Sequence, residues 1–179
     1  MKVFILAGKA GAGKNTSADF IKKYYEGIGK KVAITEIAKY LKLFAYEIEN
    51  WDGARETKPR VFLQELGSLV RHELFDENFF INRLLEDIKI YEKFVDILII
   101  ADARFPLEIE SIKANTNAVS IEIINNFSEY ELKGETTKHE TEVSLDNYDK
   151  YDFVVNNETF EKLENDLINI VKKVENNEK

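Results

Sequence analysis

Residues 2–16 read KVFILAGKAGAGKNT. Five apolar residues, Val3 to Ala7, run into a stretch with glycine at 8, 11 and 13, then a lysine, then helical spacing. A short apolar run ended by glycine reads as a strand buried on both faces. Lys14 to Glu26 reads as a helix, with Ala18, Phe20, Ile21 and Tyr25 on its apolar face and Gly27 and Gly29 closing it. A strand, a glycine turn and a helix in this order open a βαβ unit. The rest of the chain is read from that start.

The turn meets the requirements of a phosphate cradle. Glycines let backbone N–H groups turn inward without Cβ clashes, and the following helix points its N-terminus at the anion. Gly8, Gly13 and Lys14 have the spacing G-x-x-x-x-G-K, and the lysine falls where it reaches the terminal phosphates. The loop residues in question are Gly8, Ala10, Gly11, Ala12, Gly13, Lys14, Asn15 and Thr16. Asn15 stands where the motif has Ser or Thr, whose hydroxyl meets Mg²⁺. An amide oxygen also ligates a hard cation, directly or through water, so the departure alters the metal contact and leaves the cradle.

Downstream, strands alternate with helices. Lys31 to Ile37 is expected as a second strand, followed by the helical stretch AKYLKLFAYEIENW and the loop GARETKP. Pro59 fits the first turn of a helix running to about Leu74, and Asp76 is the expected N-cap of DENFFINRLLEDIKIY. Asp96 to Ala101 is the most apolar strand and is expected at the centre of the sheet. Pro106 starts a helix to about Ala114, and Ala118 to Ile124 alternates as a strand. Asn125 to Lys138 is a polar loop or flap, Tyr151 to Val155 a short strand, and Thr159 to Val174 an amphipathic helix. This order predicts an α/β fold with a mostly parallel sheet in one domain. Neither a repeat nor a Pro/Ser-rich linker interrupts it.

Composition narrows the function. The 179 residues are 44% apolar and 32% charged, the balance of a globular domain. A net charge of −8 argues against nucleic acid or an anionic membrane as partner. Without cysteine there is neither a thiolate nucleophile nor a Cys-based zinc site. The longest apolar runs are too short for a bilayer, and no secretory signal is visible, so a cytoplasmic protein is the expectation. Apolar positions near the C-terminal helix could serve a homodimer or simply pack.

Three further segments carry polar groups in suggestive places. In PRVFLQELGSLVR, a helix at about 100° per residue puts Arg60, Gln64, Gly67 and Arg71 within an arc of roughly 60°. Phe62, Leu63, Leu66, Leu69 and Val70 cover a separate arc that should face the core. Arginines offer forked donors suited to phosphate, and Gly67 lets something flat approach the backbone. The competing reading is a solvated charged face. VDILIIADARFP ends a buried strand in Asp102 and Arg104, at the edge where open α/β sheets bind ligands. Asp102 would suit a Mg²⁺-bound water and Arg104 a transferring phosphate; a helix cap and a surface ion pair are the plainer alternatives. In TKHETEVSLDNY, His139 and Glu142 share a face if the stretch is helical, with Thr137 as cap.

These blocks together resemble the phage-type deoxynucleoside monophosphate kinases of the P-loop nucleoside monophosphate kinase group. GKAGAGKNTSADFI is similar to that family's loop, which also departs from Ser/Thr and typically carries Asp. EIAKYLKLFAYEIENWDG, PRVFLQELGSLVR, ADARFPLEIESI and KHETEVSLDNYDKYDFVVNNETFEKL resemble its later segments in the same order and cover most of the chain.

The resemblance implies a three-layer α/β/α P-loop fold with a five-stranded sheet, a substrate-binding helical insert at about 39–92 and a lid at about 125–146. It implies ATP in the cradle with Mg²⁺, held by Asn15 and Asp102 through water. Lys14, Asp102 and Arg104 would be the catalytic residues. Lys42, Arg60, Gln64, Gly67, Arg71, Arg104, His139 and Glu142 would bind the nucleoside monophosphate. One departure is visible: family lids often carry arginine, and Asn125 to Lys138 has only Lys133 and Lys138 as basic residues.

Alternatives remain open at this level. One is a kinase for another small phosphorylated metabolite, such as phosphomevalonate. Another is a nucleotide-binding protein without catalysis. A GTPase-like switch fits poorly, since Asp102-Ala103-Arg104-Phe105 lacks the glycine of D-x-x-G and no N-K-x-D follows.

Overall fold

The computed structural model describes residues 1–54, 56–125 and 139–176. Five parallel strands form one sheet in the order β2-β3-β1-β4-β5: β1 Lys2–Ala7, β2 Val32–Thr35, β3 Ile97–Ala103, β4 Val119–Ile124 and β5 Phe153–Asn156. Helix α1 spans Lys14–Gly27, α2 Lys39–Ile48, α3 Arg60–Leu69, α4 Phe79–Tyr91, α5 Pro106–Asn115, α6 Glu140–Val143 and α7 Phe160–Asn176.

The apolar run of β1 is explained by its position. Phe4 and Leu6 face α1 and α7, while Val3, Ile5 and Ala7 face the layer of α2, α4 and α5. A strand covered on both sides has no polar face to show. The strand at the centre is therefore β1, and the expected central strand, β3, lies between β1 and β2. The expectation rested on apolar content, which marks burial on both faces and does not rank interior strands. The apolar side of α7, Leu163, Leu167, Ile170, Val171 and Val174, is buried in the same core as α1.

Because every strand is parallel, all five C-terminal ends share one edge. The chain crosses from β1 to the far side for β2, then returns over β1 to add β4 and β5 on the other side. Loops leaving the edge thus diverge and open a crevice there. Between β1 and β3 the register slips: Ile5 pairs with Ile100, but Ala7 pairs with Ala103. The extra residue in β3 is a bulge immediately before Arg104, a device that re-aims side chains beside a site.

Several expected boundaries move. The helix expected to run to Leu74 is α-helical only through Leu69 and continues as a π-helical turn, Val70–Leu74. Leu69, expected in the core, is 37% exposed. Asp76 does not cap α4; it accepts the Asn78 N–H at 2.7 Å in a turn, and α4 starts at Phe79. β3 runs two residues past Ala101. Residues 126–138 of the expected flap, with Thr137, lie outside the described residues.

Candidate phosphate-transfer cleft

A cavity of about 500 Å³ opens at the shared C-terminal edge. Residues after all five strands line it: Ala10, Gly11 and Gly13 to Thr16 after β1, Glu36 to Ala38 after β2, Asp102 and Arg104 at the end of β3, Asn125 after β4 and Asn157 after β5. The opposite wall comes from α2 and α3 and the turn before α3, with Lys42, Lys58, Arg60, Gln64, Gly67 and Arg71.

The glycine loop has the backbone that its sequence requires. Gly8, Gly11 and Gly13 all have positive φ. A Cβ on Gly8 would stand 2.4 Å from the carbonyl oxygen of Ile123, and one on Gly13 would stand 2.5 Å from the Asn157 amide. Asn157 in turn donates to the Ala12 carbonyl at 2.9 Å, which ties the loop to the end of β5. Gly13 occupies the N-cap of α1 and no side chain caps that end. The first-turn N–H groups of Lys14, Asn15 and Thr16 therefore point at the cavity with the helix dipole behind them. That is a fit for a phosphate group.

Lys14 folds back over the loop. Its ammonium group donates to the carbonyls of Gly8 at 2.6 Å and Lys9 at 2.9 Å. Burial, aided by the charge of Arg104, lowers its pKa from 10.5 to about 7. A buried ammonium held only by carbonyls is poised for an anion, which would restore its charge.

Asp102 uses its carboxylate differently from the sequence expectation. Its oxygens accept the Ile37 N–H at 2.7 Å and the Ala38 N–H at 3.0 Å, fastening the start of α2 to the end of β3. Burial and the neighbouring Glu36 charge raise its pKa. The plainer reading, a cap, is thus part of its role, although the cap serves α2 and not the helix that follows. Asp102 still lines the cleft, as do Asn15 and Thr16. Among the described residues no cluster of three acidic or histidine side chains could hold a metal alone. Mg²⁺ would fit here as an ion carried largely by phosphate oxygens, with Asn15 and Asp102 reached through water.

Two of the three arginines that line the cleft, Arg71 and Arg104, are each held by a carboxylate from α6. Arg104 meets both oxygens of Glu142 at 3.0 Å, and Glu142 also accepts the Ala10 N–H at 3.1 Å. Arg71 donates to Glu140 at 2.6 Å and lies over the Phe105 ring at 4.5 Å. Burial opposes the charge on Glu140, but the hydrogen bond and charge of Arg71 prevail and hold its carboxyl below the usual range. Gly67 is buried, with Leu41 and the Arg71 guanidinium on its open side; the flat group at Gly67 is this arginine. Lys42 is bonded to Glu36.

His139 stands apart from the cavity. It is the N-cap of α6, its Nδ1 accepting the Thr141 N–H at 3.3 Å and its Nε2 lying 3.3 Å from the Ser68 hydroxyl. It therefore does not share a helix face with Glu142, as the spacing suggested, because the helix starts one residue later. Gly8 and Ala12 line a second, smaller cavity behind the loop. The other expected site residues, Ala10, Gly11, Gly13 to Thr16, Lys42, Arg60, Gln64, Gly67, Arg71, Asp102, Arg104 and Glu142, meet in the main cleft.

Sequence reasoning missed Glu36, Lys58, Glu108, Glu140, Asn157 and Phe160. Glu36 follows β2 at the ligand edge, a signal that was available. Glu108 is buried at the start of α5, and its carboxylate accepts the N–H groups of Arg104 at 2.7 Å and Phe105 at 3.0 Å. This fixes the turn that aims Arg104. Phe160, 72% exposed, stands on the cleft rim at the start of α7.

No protein-family model and no curated protein matches the chain. Solved structures do. A shikimate kinase from Aquifex aeolicus is similar at 15% identity, over 99% of this chain and 98% of that one, with a TM-score of 0.52. A sugar kinase from Janibacter is similar at 12% identity, over 96% and 94%, with a TM-score of 0.51. The shared architecture is the three-layer α/β/α fold, a five-stranded parallel sheet with helices on both faces and a glycine loop after β1. At these identities the likeness speaks for the architecture, and the chemistry must be argued from the cleft.

Proposed function

We propose that this protein transfers the γ-phosphoryl group of ATP to a (deoxy)nucleoside monophosphate, giving the diphosphate and ADP. The observation that carries the reading is one cleft with two seats for anions. The glycine loop, the α1 N-terminus and Lys14 form the first; Lys42, Arg60, Gln64 and Arg71 line the wall opposite; Arg104 stands at the end of β3 within the same cavity. A hydroxyl acceptor would not need so many cations on its own wall, whereas a phosphate acceptor would.

The acceptor phosphate is already a fair nucleophile, so catalysis is positioning and charge dispersal. Lys14 and the loop N–H groups hold the donor phosphates. Arg71 and Arg60 orient the acceptor, and Arg104 meets the charge that moves between them. Mg²⁺, when bound, would neutralise the β- and γ-phosphate oxygens. A second reading is a kinase for another small phosphorylated metabolite, because the acceptor wall is built for phosphate more plainly than for a base.

The test is ADP release with ATP and Mg²⁺ against ribo- and deoxynucleoside monophosphates, with phosphomevalonate and no-acceptor controls. Turnover on one or more nucleotides supports the proposal. Turnover on phosphomevalonate alone selects the second reading, and tight ATP binding without turnover on any of these acceptors rejects the nucleotide reading in favour of another phosphorylated acceptor or a loop kept for binding alone.

A further inference from the structure

Most cations of the cleft already have an acceptor. Lys14 has two carbonyls, Lys42 has Glu36, Arg71 has Glu140 and Arg104 has Glu142. Lys58, in the turn between α2 and α3, is different. It lines the cleft and is partly buried, and no carboxylate among the described residues forms an ion pair with it. The opposite charge it feels is that of Glu36, which is bonded to Lys42. Lys42, Arg60 and Arg104 press on it with like charge, and Lys14 across the cleft senses it in return. Burial first, then Lys42 and Arg60, lower its pKa.

A lysine stem normally carries its ammonium group to water. Here the head is kept among cations, an arrangement that costs stability unless an anion enters. Its electrostatic neighbours span both seats: Lys14 on the donor side, Lys42 and Arg60 on the acceptor side, and Arg104 between them.

We propose that Lys58 joins Arg104 in holding the transferred phosphoryl group between the donor and acceptor seats. The assignment rests on the phosphoryl-transfer reading. In the step, an acceptor phosphate oxygen forms a bond to the γ-phosphorus, the bond from that phosphorus to the β–γ bridging oxygen breaks, and the electron pair leaves on ADP. Lys58 donates hydrogen bonds to the equatorial oxygens in flight and remains protonated throughout.

The experiment compares Lys58→Met and Lys58→Arg with the parent in kcat, in KM for each substrate and in thermal midpoint. Loss of one donor aimed at charge in flight costs about 10²–10³ in kcat. Lys58→Met should show that loss with KM for ATP little changed, and Lys58→Arg should recover most of it. The ligand-free Tm of Lys58→Met should equal or exceed that of the parent, because a partly buried ammonium pressed by Lys42, Arg60 and Arg104 has been removed. Parental kcat in Lys58→Met overturns the proposal. So does a lower Tm with kcat lost in both variants, which marks a structural lysine. If the parent transfers phosphate to no acceptor, the kinase reading fails separately, and inorganic tripolyphosphate then tests Lys58 directly. It should raise the parent's Tm more than that of Lys58→Met; an equal rise removes Lys58 from the anion site.

Discussion

Glu142 grips the Arg104 guanidinium with both carboxylate oxygens at 3.0 Å, and one of those oxygens also takes the Ala10 N–H at 3.1 Å. Both donors are ones that an incoming phosphate would seek. The carboxylate thus orients Arg104 and at the same time places a negative charge beside the donor seat. Glu142→Gln keeps the shape and removes the charge. It should tighten ADP binding several-fold, about 1 kcal/mol, because the repulsion is gone. Turnover should fall, because Arg104 loses its partner. Titration calorimetry with ADP and steady-state kinetics check the two halves; weaker ADP binding would show that Glu142 acts through the loop's shape and not through its charge.

Arg71 is positioned by three contacts from different parts of the chain: Glu140 on α6, the Phe105 ring after β3, and its own π-helical turn. Such π turns often occur at functional sites. Arg71→Ala should raise KM for the acceptor by about ten- to a hundredfold, the range of a charged hydrogen bond of about 1.5–3 kcal/mol. KM for ATP should hardly move. An unchanged acceptor KM would take Arg71 out of the acceptor seat.

Lys14 links function to stability. Its pKa is about 7 in the folded protein against 10.5 ordinarily. Below about pH 7 both the folded and unfolded chains hold the proton, and the folded state bears the whole cost of a buried charge. Between about pH 7 and 10.5 the folded state releases it first, so this contribution to stability improves as pH rises. The full span is about 5 kcal/mol as an upper bound. Lys14→Met should therefore abolish phosphoryl transfer and yet melt above the parent at pH 6.5, with the gap closing toward pH 10. Melting curves across that range decide it; a gap that stays constant with pH would mean that Lys14 is not desolvated.

The fold could be read because its signals are local. The run Val3–Ala7, the glycines at 8, 11 and 13, and Pro106 at the first turn of α5 each declare their structure within a few residues. The arc of Arg60, Gln64, Gly67 and Arg71 survives even though the helix changes pitch after Leu69, since all four line the cleft. What escaped was long-range. Glu140 and Glu142 lie 69 and 38 positions from their arginines, and no periodicity connects them. Asp102 looked like a ligand because of where it stands, but its two backbone partners belong to a turn 64 and 65 residues earlier. Lys58 gave no signal in the sequence, because what distinguishes it is that no described carboxylate forms an ion pair with it in the cleft, which only the packed structure reveals.

Glu108 gives the opposite pH dependence to Lys14 and can be isolated from it. The side chain is buried at the first turn of α5, its carboxylate accepting the N–H groups of Arg104 and Phe105. Burial raises its pKa from 4.5 to about 7, the two N–H groups offsetting only part of that cost. Below about pH 4.5 the group is neutral in both states. Between about pH 4.5 and 7 the unfolded chain ionises while the folded one stays protonated, so this contribution to stability is lost as pH rises. The loss is about 3 kcal/mol in full. Glu108→Gln retains an oxygen for the two N–H groups and has nothing to titrate. Its stability in urea should match the parent near pH 4.5 and exceed it by about 3 kcal/mol near pH 7.5. Other carboxylates titrate alike in both proteins and cancel from the difference. Because the Arg104 turn stays fastened, turnover should be retained in Glu108→Gln and drop in Glu108→Ala, where both N–H groups lose their acceptor. A stability difference that does not change with pH would mean that Glu108 is ionised in the folded protein at neutral pH, and the Arg104 turn would then be held by a charged carboxylate.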